Sequence, residues 1–149
     1  MNTPVSDGIE AAASTDLPAI LALLTSAGLP VADVGPASHP EFLVARLDGC
    51  VAGVVGLERF GDVGLLRSLA VNEAHRRQGL GLALTRALEE RAACTGIVAL
   101  VLLTETARDF FQRRGYQVIA RVQAPAAVQV SREFRSLCPE SAVCLTKRL

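Results

Sequence analysis

The sequence predicts one α/β (α+β) domain, with a mixed, mostly antiparallel sheet of about six or seven strands flanked by helices. Three observations predict it. Hydrophobic spacing switches repeatedly between the two-residue alternation of strands and the three-to-four-residue spacing of helices. Gly- and Asp-containing turns punctuate those switches. The chain of 149 residues is long enough to bury one core and too short for two ordinary ones, so residues 1–149 read as a single domain.

The elements follow in order. A short apolar stretch, Ile9 to Ala13, comes first. Ser14 to Asp16 offer capping side chains, and Pro18 falls in the first turn of a helix running to about Ala27, which Gly28 and Pro30 stop. Val31 to Pro40 is rich in Gly and Pro and reads as a loop of the kind that borders a cleft. Phe42 to Leu47, Asp48-Gly49 and Val51 to Leu57 give the strongest hairpin signal in the chain. A turn at Gly61-Asp62 leads into a third strand, Leu65 to Val71.

From about Gln78 to Ala93 the pattern is helical: Leu80, Leu84, Ala87 and Leu88 line one side, while Arg86, Glu89 and Glu90 line the other. Gly96 ends this helix. The unbroken apolar run Ile97 to Leu103 marks a strand covered on both faces. A helix from about Thr106 to Arg114 stops at Gly115, and Tyr116 to Val122 is another strand. After Ala124-Pro125, a polar helical segment from about Ser131 to Leu137 precedes a last strand, Ala142 to Lys147.

Composition excludes several functions. Half the residues are hydrophobic and a fifth are charged, with fifteen basic residues balancing fifteen acidic ones, which fits neither a disordered chain nor a polyelectrolyte surface. Aromatic residues are 4% and tryptophan is absent, so a base-stacking platform and nucleic-acid binding are not expected. Cys50, Cys94, Cys138 and Cys144 lack the spacing of a zinc site and the density of a disulfide scaffold; they read as reduced thiols, with no metal. No apolar run approaches the roughly twenty residues of a membrane span. Met1 to Glu10 has neither a basic start nor an apolar secretory segment, which makes a cytoplasmic location the expectation.

The stretch carrying chemistry is Leu69 to Leu84. An apolar strand ends at Val71 and passes through Asn72 to His75 into Arg76-Arg77-Gln78-Gly79-Leu80-Gly81, where an amphipathic helix begins. Backbone amides are left unpaired at such a helix start. Gly79 and Gly81 carry no β-carbon to hold a phosphate off the main chain, and the helix dipole with Arg76 and Arg77 favours an anion. A pyrophosphate suits this corner.

These residues resemble the GNAT superfamily of acetyl-CoA-dependent N-acyltransferases, whose acetyl-CoA motif is Gln or Arg, two residues, Gly, one residue, then Gly or Ala. Here it is met by Arg76, Gly79 and Gly81. Leu69-Ala70-Val71 ahead of the motif, Thr104 closing the next strand, and Ala107, Phe110, Phe111, Gly115 and Tyr116 beyond it match the family in order, so the likeness runs from about Ile9 onward. It implies that two neighbouring parallel strands, ending at Val71 and Thr104, splay apart, and that the exposed main chain of Leu69 to Val71 pairs with the pantetheine arm. It implies acetyl-CoA as cosubstrate, held by Leu69, Ala70, Val71, Arg76, Arg77, Gln78, Gly79, Leu80, Gly81, Thr104 and Phe111. The Leu69 amide would serve as oxyanion donor. Many members are dimers, so the resemblance allows a homodimer, and no residue pattern in the sequence identifies an interface.

Two family features are missing. The helix tyrosine that protonates the leaving thiolate in many members is matched by Phe111, and Leu65 and Arg67 stand where a glutamate base usually occurs. Tyr116 reads as packing. A CoA thiol is acidic enough to leave unassisted and an amine can lose its proton to water, so no base is assigned; Glu58 reads as a surface carboxylate.

Arg67 points to the acceptor. By alternation Leu65, Arg67, Leu69 and Val71 share one face of the strand, and Leu66, Ser68 and Ala70 the other. An arginine among apolar neighbours is either paired to an internal carboxylate or reserved for an anion from outside. With few acidic residues nearby in sequence, the expectation is a ligand carboxylate, which suits the planar guanidinium.

Leu66 to Val71, Leu103-Thr104, Phe110-Phe111, and Pro125 followed by Phe134-Arg135-Ser136 resemble the acetyltransferase domain of bacterial N-acetylglutamate synthases. That likeness implies that Arg67, Arg135 and Ser136 hold the carboxylates of a small amino-acid substrate. Leu137-Cys138-Pro139 and Ser141-Ala142 look like small free-standing GNAT proteins named for arsenic-resistance loci, whose relatives acetylate glutamate analogues bearing a phosphinate or arsinate. Both oxyacids suit the same arginines. Cys138 and Cys144 read as small buried hydrophobes.

Overall fold

The computed structural model describes residues 8–37 and 39–149. Most of the Met1 to Glu10 stretch, from which no leader is expected, lies outside them. The strands are β1 (Ile9–Ala11), β2 (Glu41–Leu47), β3 (Cys50–Phe60), β4 (Val63–Val71), β5 (Ala99–Thr104), β6 (Gln117–Ile119) and β7 (Val143–Arg148). The helices are α1 (Leu17–Ser26), α2 (Leu80–Cys94), α3 (Arg108–Gln112) and α4 (Ala126–Gln129). The seven strands form a mixed sheet in the order β1-β2-β3-β4-β5-β7-β6. The described residues divide into two compact units, one running to Leu57 and including Ser68–Arg91, the other comprising Glu58–Arg67 and Ala92–Leu149.

In the first unit, the β2–β3 hairpin turns at Asp48 and Gly49, whose φ angles of 53° and 78° are both left-handed, as the two-residue turn matched to strand twist requires. Its ladder runs from Glu41↔Leu57 to Leu47↔Cys50, with an irregularity between Ala45 and Arg46. Ile20, Leu23 and Leu24 of α1 share a core with Phe42, Val44, Val54 and Ala70. Val34 joins that core, so the segment read as a loop helps fill the interior. Gly53 lets α2 approach β3: a Cβ there would lie 2.9 Å from Leu84 Cδ1 and 3.3 Å from the Ala70 carbonyl oxygen.

The capping expected of Ser14 to Asp16 takes a different form. No side chain caps α1. The Asp16 carboxylate instead turns back to accept the Ala13 amide at 2.7 Å and two bonds from Arg46, at 2.9 and 2.6 Å, while Arg46 Nε also meets Glu10. Arg46 has enough donors to out-compete the helix end for this carboxylate.

In the second unit, β4 pairs in parallel with β5 through Val63↔Ala99, Gly64↔Leu100 and Leu65↔Val101, and these registered pairs go no further among the described residues. On its other edge β5 pairs with β7 from Ala99↔Arg148 to Thr104↔Val143. Leu100, Val101 and Leu102 are consecutive and buried, as a strand covered on both faces demands. β6 is shorter than its apolar pattern predicts because Arg121–Gln123 coils into a 3₁₀ turn, closed by the Ala120 amide donating to Gln123 Oε1 at 2.7 Å.

Helix α4 was not expected. Pro125 at its N-cap and the buried Val128 are the signals that mark it. The polar segment read as helical from Ser131 is a single π-helical turn, Glu133–Leu137, in which the Cys138 amide donates to the Glu133 carbonyl at 3.1 Å. No helix among the described residues is long and apolar enough to cross a membrane.

Candidate active site

The strand-to-helix corner is built by local hydrogen bonding. Asn72 Oδ1 accepts the Ala74 amide at 2.9 Å, and the Asn72 amide donates to the Ala52 carbonyl at 2.7 Å, which anchors the exit from β4 to β3. Arg76 Nε donates to the Val71 carbonyl at 3.4 Å. Arg77 and Gly79 are both left-handed, with φ of 68° and 80°, and this pair of reversals turns the chain into α2. A Cβ on Gly79 would meet nothing within 4 Å, so its glycine serves the backbone angle and leaves open space above it.

Arg76, Arg77, Gln78 and Gly79 are exposed, while Leu80 is buried and fixes the helix start. The Ala83 amide is the first turn's return bond, to Gly79 O at 3.0 Å, and Thr85 Oγ1 donates to Gly81 O at 2.8 Å. The amides ahead of Ala83 are those a helix cannot satisfy internally. Their setting, an exposed main chain with two guanidinium side chains, fits a diphosphate.

Within β4 the structure corrects one expectation. Ser68 has φ 59°, rare for a residue with a Cβ, and breaks the pleat. The alternation from Leu65 and Arg67 therefore does not continue by counting to Leu69 and Val71. Leu65 belongs to a core with Val101, Ala124, Val128 and Cys144, whereas Ala70 belongs to the α1 core. Leu69, proposed from the resemblance as oxyanion donor, directly follows the left-handed residue.

A second correction concerns Arg67. Its side chain is fully buried, and it is paired internally: Nη1 donates to Glu58 Oε1 at 2.7 Å, and Nε lies 3.7 Å from Glu133 Oε1. Glu58 comes from across the adjacent turn, and Glu133 from a residue distant along the chain. Glu58 had a findable signal, since folding at Gly61-Asp62 sets it one diagonal step from Arg67. Glu133 had none, because its burial depends on the π turn. Glu58 is thus no free surface carboxylate, and Glu133, buried at 4% exposure, was missed.

Arg135 and Ser136 are exposed on the same turn that points Glu133 inward, and Ser136 Oγ donates to the Arg132 carbonyl at 3.4 Å. Thr104 Oγ1 accepts the Ala107 amide at 3.0 Å, tying the end of β5 to the approach to α3. Phe111 is 3% exposed, with edge-on ring contacts to Phe110 at 5.1 Å and Tyr116 at 5.2 Å. A short helix capped by Gly115 can bury only one ring of the Phe110-Phe111 pair, and it is Phe111. Tyr116 is buried, as its packing role requires.

Burial pushes the Cys138 thiol up to about 12, reinforced by the Glu133 carboxylate, and pushes Cys144 up to about 11. Neither is a ready thiolate ligand. Among the described residues no cluster of three or more His, Cys, Asp and Glu side chains could hold a metal ion.

Residues 25–116 match the Acetyltransferase (GNAT) family, more than half of the chain. The chain belongs to the GNAT acetyltransferase family. Among curated relatives, the amino-acid acetyltransferase of Pseudomonas aeruginosa is 33% identical over 89 residues, covering 58% of this chain and 21% of the relative. The chain therefore spans about a fifth of the length of the curated relatives it matches.

Among solved structures, N-acetylglutamate synthase from Neisseria gonorrhoeae, complexed with coenzyme A and N-acetyl-glutamate, aligns with a TM-score of 0.79 at 25% identity. That alignment covers 95% of this chain and 34% of the other. Rv2747 from Mycobacterium tuberculosis, in complex with CoA, also gives 0.79, at 22% identity, over 95% of this chain and 98% of that one. At that identity it speaks to the fold alone.

Proposed function

We propose that this chain transfers acetyl from acetyl-CoA to the α-amine of a small acidic amino acid, or of an analogue with a phosphinate or arsinate in place of the side-chain carboxylate, with residues 1–149 as the transferring domain. The observation that carries the reading is the exposed corner where Arg77 and Gly79 reverse the backbone into α2. Arg76, Arg77, Gln78, Gly79, Leu80 and Gly81 would hold the diphosphate, and Leu69 to Val71 the pantetheine amides. Thr104 would take part in cofactor binding by resemblance. The named activities of the P. aeruginosa and N. gonorrhoeae relatives support an amino-acid acceptor.

When bound, acetyl-CoA supplies the thioester carbonyl that an uncharged amine attacks. The Leu69 amide would donate to the developing oxyanion, a contact whose removal costs about 3 kcal/mol in other enzymes. Binding both reactants supplies most of the remaining acceleration. Glu58 is held on Arg67, so the amine's proton passes to water rather than to a carboxylate of this cluster.

By resemblance, Arg67, two residues before Leu69 in β4, would receive an acceptor carboxylate, and Arg135 and Ser136 from the C-terminal segment would assist. A second reading, a non-catalytic acyl-CoA-binding domain, is favoured by Phe111 standing at the position of the usual acid and Leu65 and Arg67 at that of the usual base.

One assay separates the readings. Thiol release from acetyl-CoA is followed with glutamate, phosphinothricin, an arsinate analogue, spermidine and a basic peptide in turn. Release dependent on the first three supports the proposal. Release dependent only on spermidine or the peptide refutes the acidic acceptor, and CoA binding without amine-dependent release establishes the binding domain.

A further inference from the structure

We infer that the cavity between the start of α1 and the loop leading into β2 is a binding site for a compact, uncharged two-ring compound bearing a hydroxyl. It stands independently of the acetyl-transfer reading.

Pro36 and His39, from the loop rich in Gly and Pro, line a space of about 350 Å³ together with the start of α1. Its floor is Ile20 and Phe42, both buried, and Ala13, Ser14 and Pro18 at its rim are exposed. Small side chains make the room, because Ala12, Ala13 and Ser14 follow one another where β1 gives way to α1. The described lining residues all belong to the first compact unit, and none of them lies between Leu69 and Gly81. A neighbouring cavity of about 210 Å³ shares Ala12, His39 and Phe42 and reaches Leu88 of α2. Leu88 is eight residues along that helix from Leu80, about 12 Å from the CoA corner, so this space is separate from the one proposed for the cofactor.

Volume sets the size of the ligand. An apolar cavity of about 150 Å³ takes up benzene, so one about twice as large suits two fused rings. The lining sets its charge: among the described residues that line the cavity there is no Asp, Glu, Lys or Arg, and an ionised ligand would leave water without a counter-charge. His39 sets the hydrogen bond. Its ring lies at 19° to that of Phe42 with centroids 5.8 Å apart, and Nδ1 meets the Pro40 carbonyl at 2.7 Å. A carbonyl oxygen only accepts, so Nδ1 carries the proton and the neutral ring keeps its lone pair on Nε2. That nitrogen accepts from a ligand hydroxyl, and the stacked rings give the cavity an aromatic wall.

The test is an NMR titration of the full chain, labelled with nitrogen-15, against three probes that share one soluble two-ring frame: 6-hydroxyquinoline, quinoline and quinoline-6-carboxylate. Saturable amide shifts at Ala12, Leu17, Ile20 and Phe42 are expected with 6-hydroxyquinoline, while residues 72–84 stay still. Quinoline should bind about fivefold more weakly, the share of one neutral hydrogen bond. The carboxylate should bind at least about tenfold more weakly than the hydroxyl compound. His39→Phe keeps a ring beside Phe42 and removes Nε2, so it should bring 6-hydroxyquinoline down to the level of quinoline and leave quinoline within about twofold. Ala13→Leu, at an extended position with φ −86° that accepts a larger side chain, should weaken both at least about tenfold by filling the space, and serves if the His39 variant folds poorly. No saturable shift, shifts confined to residues 72–84, a carboxylate bound as tightly as the hydroxyl compound, or a hydroxyl preference that survives His39→Phe overturns the inference. Coenzyme A affinity, measured on the same variants, should stay within about twofold and reports separately on the corner.

Discussion

Arg67 shows what a covered cation asks of its neighbours. Truncating it strands Glu58 and Glu133, and breaking a buried pair by removing one partner costs about 3–5 kcal/mol. Arg67→Ala is accordingly expected to lower the melting temperature as well as activity. Arg67→Lys keeps the charge but loses the planar fork. It should stay folded and raise the acceptor KM about tenfold, leaving the CoA dissociation constant within about twofold by titration. A CoA affinity that falls in step with the acceptor would sink the acceptor role.

The cysteines give a second prediction at this scale. Cys138 and Cys144, pushed up to about 12 and 11, hold almost no thiolate at pH 8. Cys50 and Cys94 are exposed. Timed alkylation followed by peptide mass spectrometry should label Cys50 and Cys94 first and Cys138 and Cys144 last, and an early label at Cys138 would contradict the shielding described here.

Among the elements, α2 separates folding from binding. Gly81 lies in its first turn, where replacing glycine by a better helix former stabilises and a carboxylate agrees with the dipole. Gly81→Glu should therefore leave the melting temperature equal or higher, yet weaken CoA at least about tenfold through bulk and repulsion at the phosphates. Unchanged CoA affinity would remove the corner from the site.

The entry to α1 depends on charge instead. Arg46 and the Ala13 amide hold the Asp16 carboxyl below its ordinary value. A carboxylate whose folded value is depressed contributes stability that is complete above the unfolded value near 4, and loses it as pH falls through the folded one. Asp16→Asn is expected to lower the melting temperature by about 4 °C or more at pH 7, with the difference from wild type shrinking below pH 4. Melting curves between pH 7 and pH 2.5 give the comparison.

At the scale of the whole chain, the legible features were those that neighbours in sequence decide. The Asp48-Gly49 hairpin, the run from Val71 to Leu84, and the buried strand at Leu100 to Leu102 all announce themselves locally, through turn chemistry or period. What escaped is set by long-range competition. Arg46 draws Asp16 off its helix cap from thirty residues away, a left-handed Ser68 interrupts a strand whose pattern looks regular, and a π turn swings Glu133 inward in place of Arg135. The candidate site followed the same division. The proposed CoA corner is contiguous in sequence, whereas the cluster of Glu58, Arg67 and Glu133 draws only Glu58 from nearby in the chain.

The strand order fixes a sequence of events. β7 lies between β5 and β6, joined to β5 by six registered pairs and to β6 by three. Although β6 is synthesised first, it has no seat until residues 143–148 are laid beside β5, so closing this edge waits on a contact spanning some forty residues. During that wait the β5 edge is bare, a surface onto which strands of other chains can add. Refolding at rising protein concentration should accordingly lose yield before β7 docks, and a peptide of residues 143–148 added in excess should slow native recovery by occupying its place.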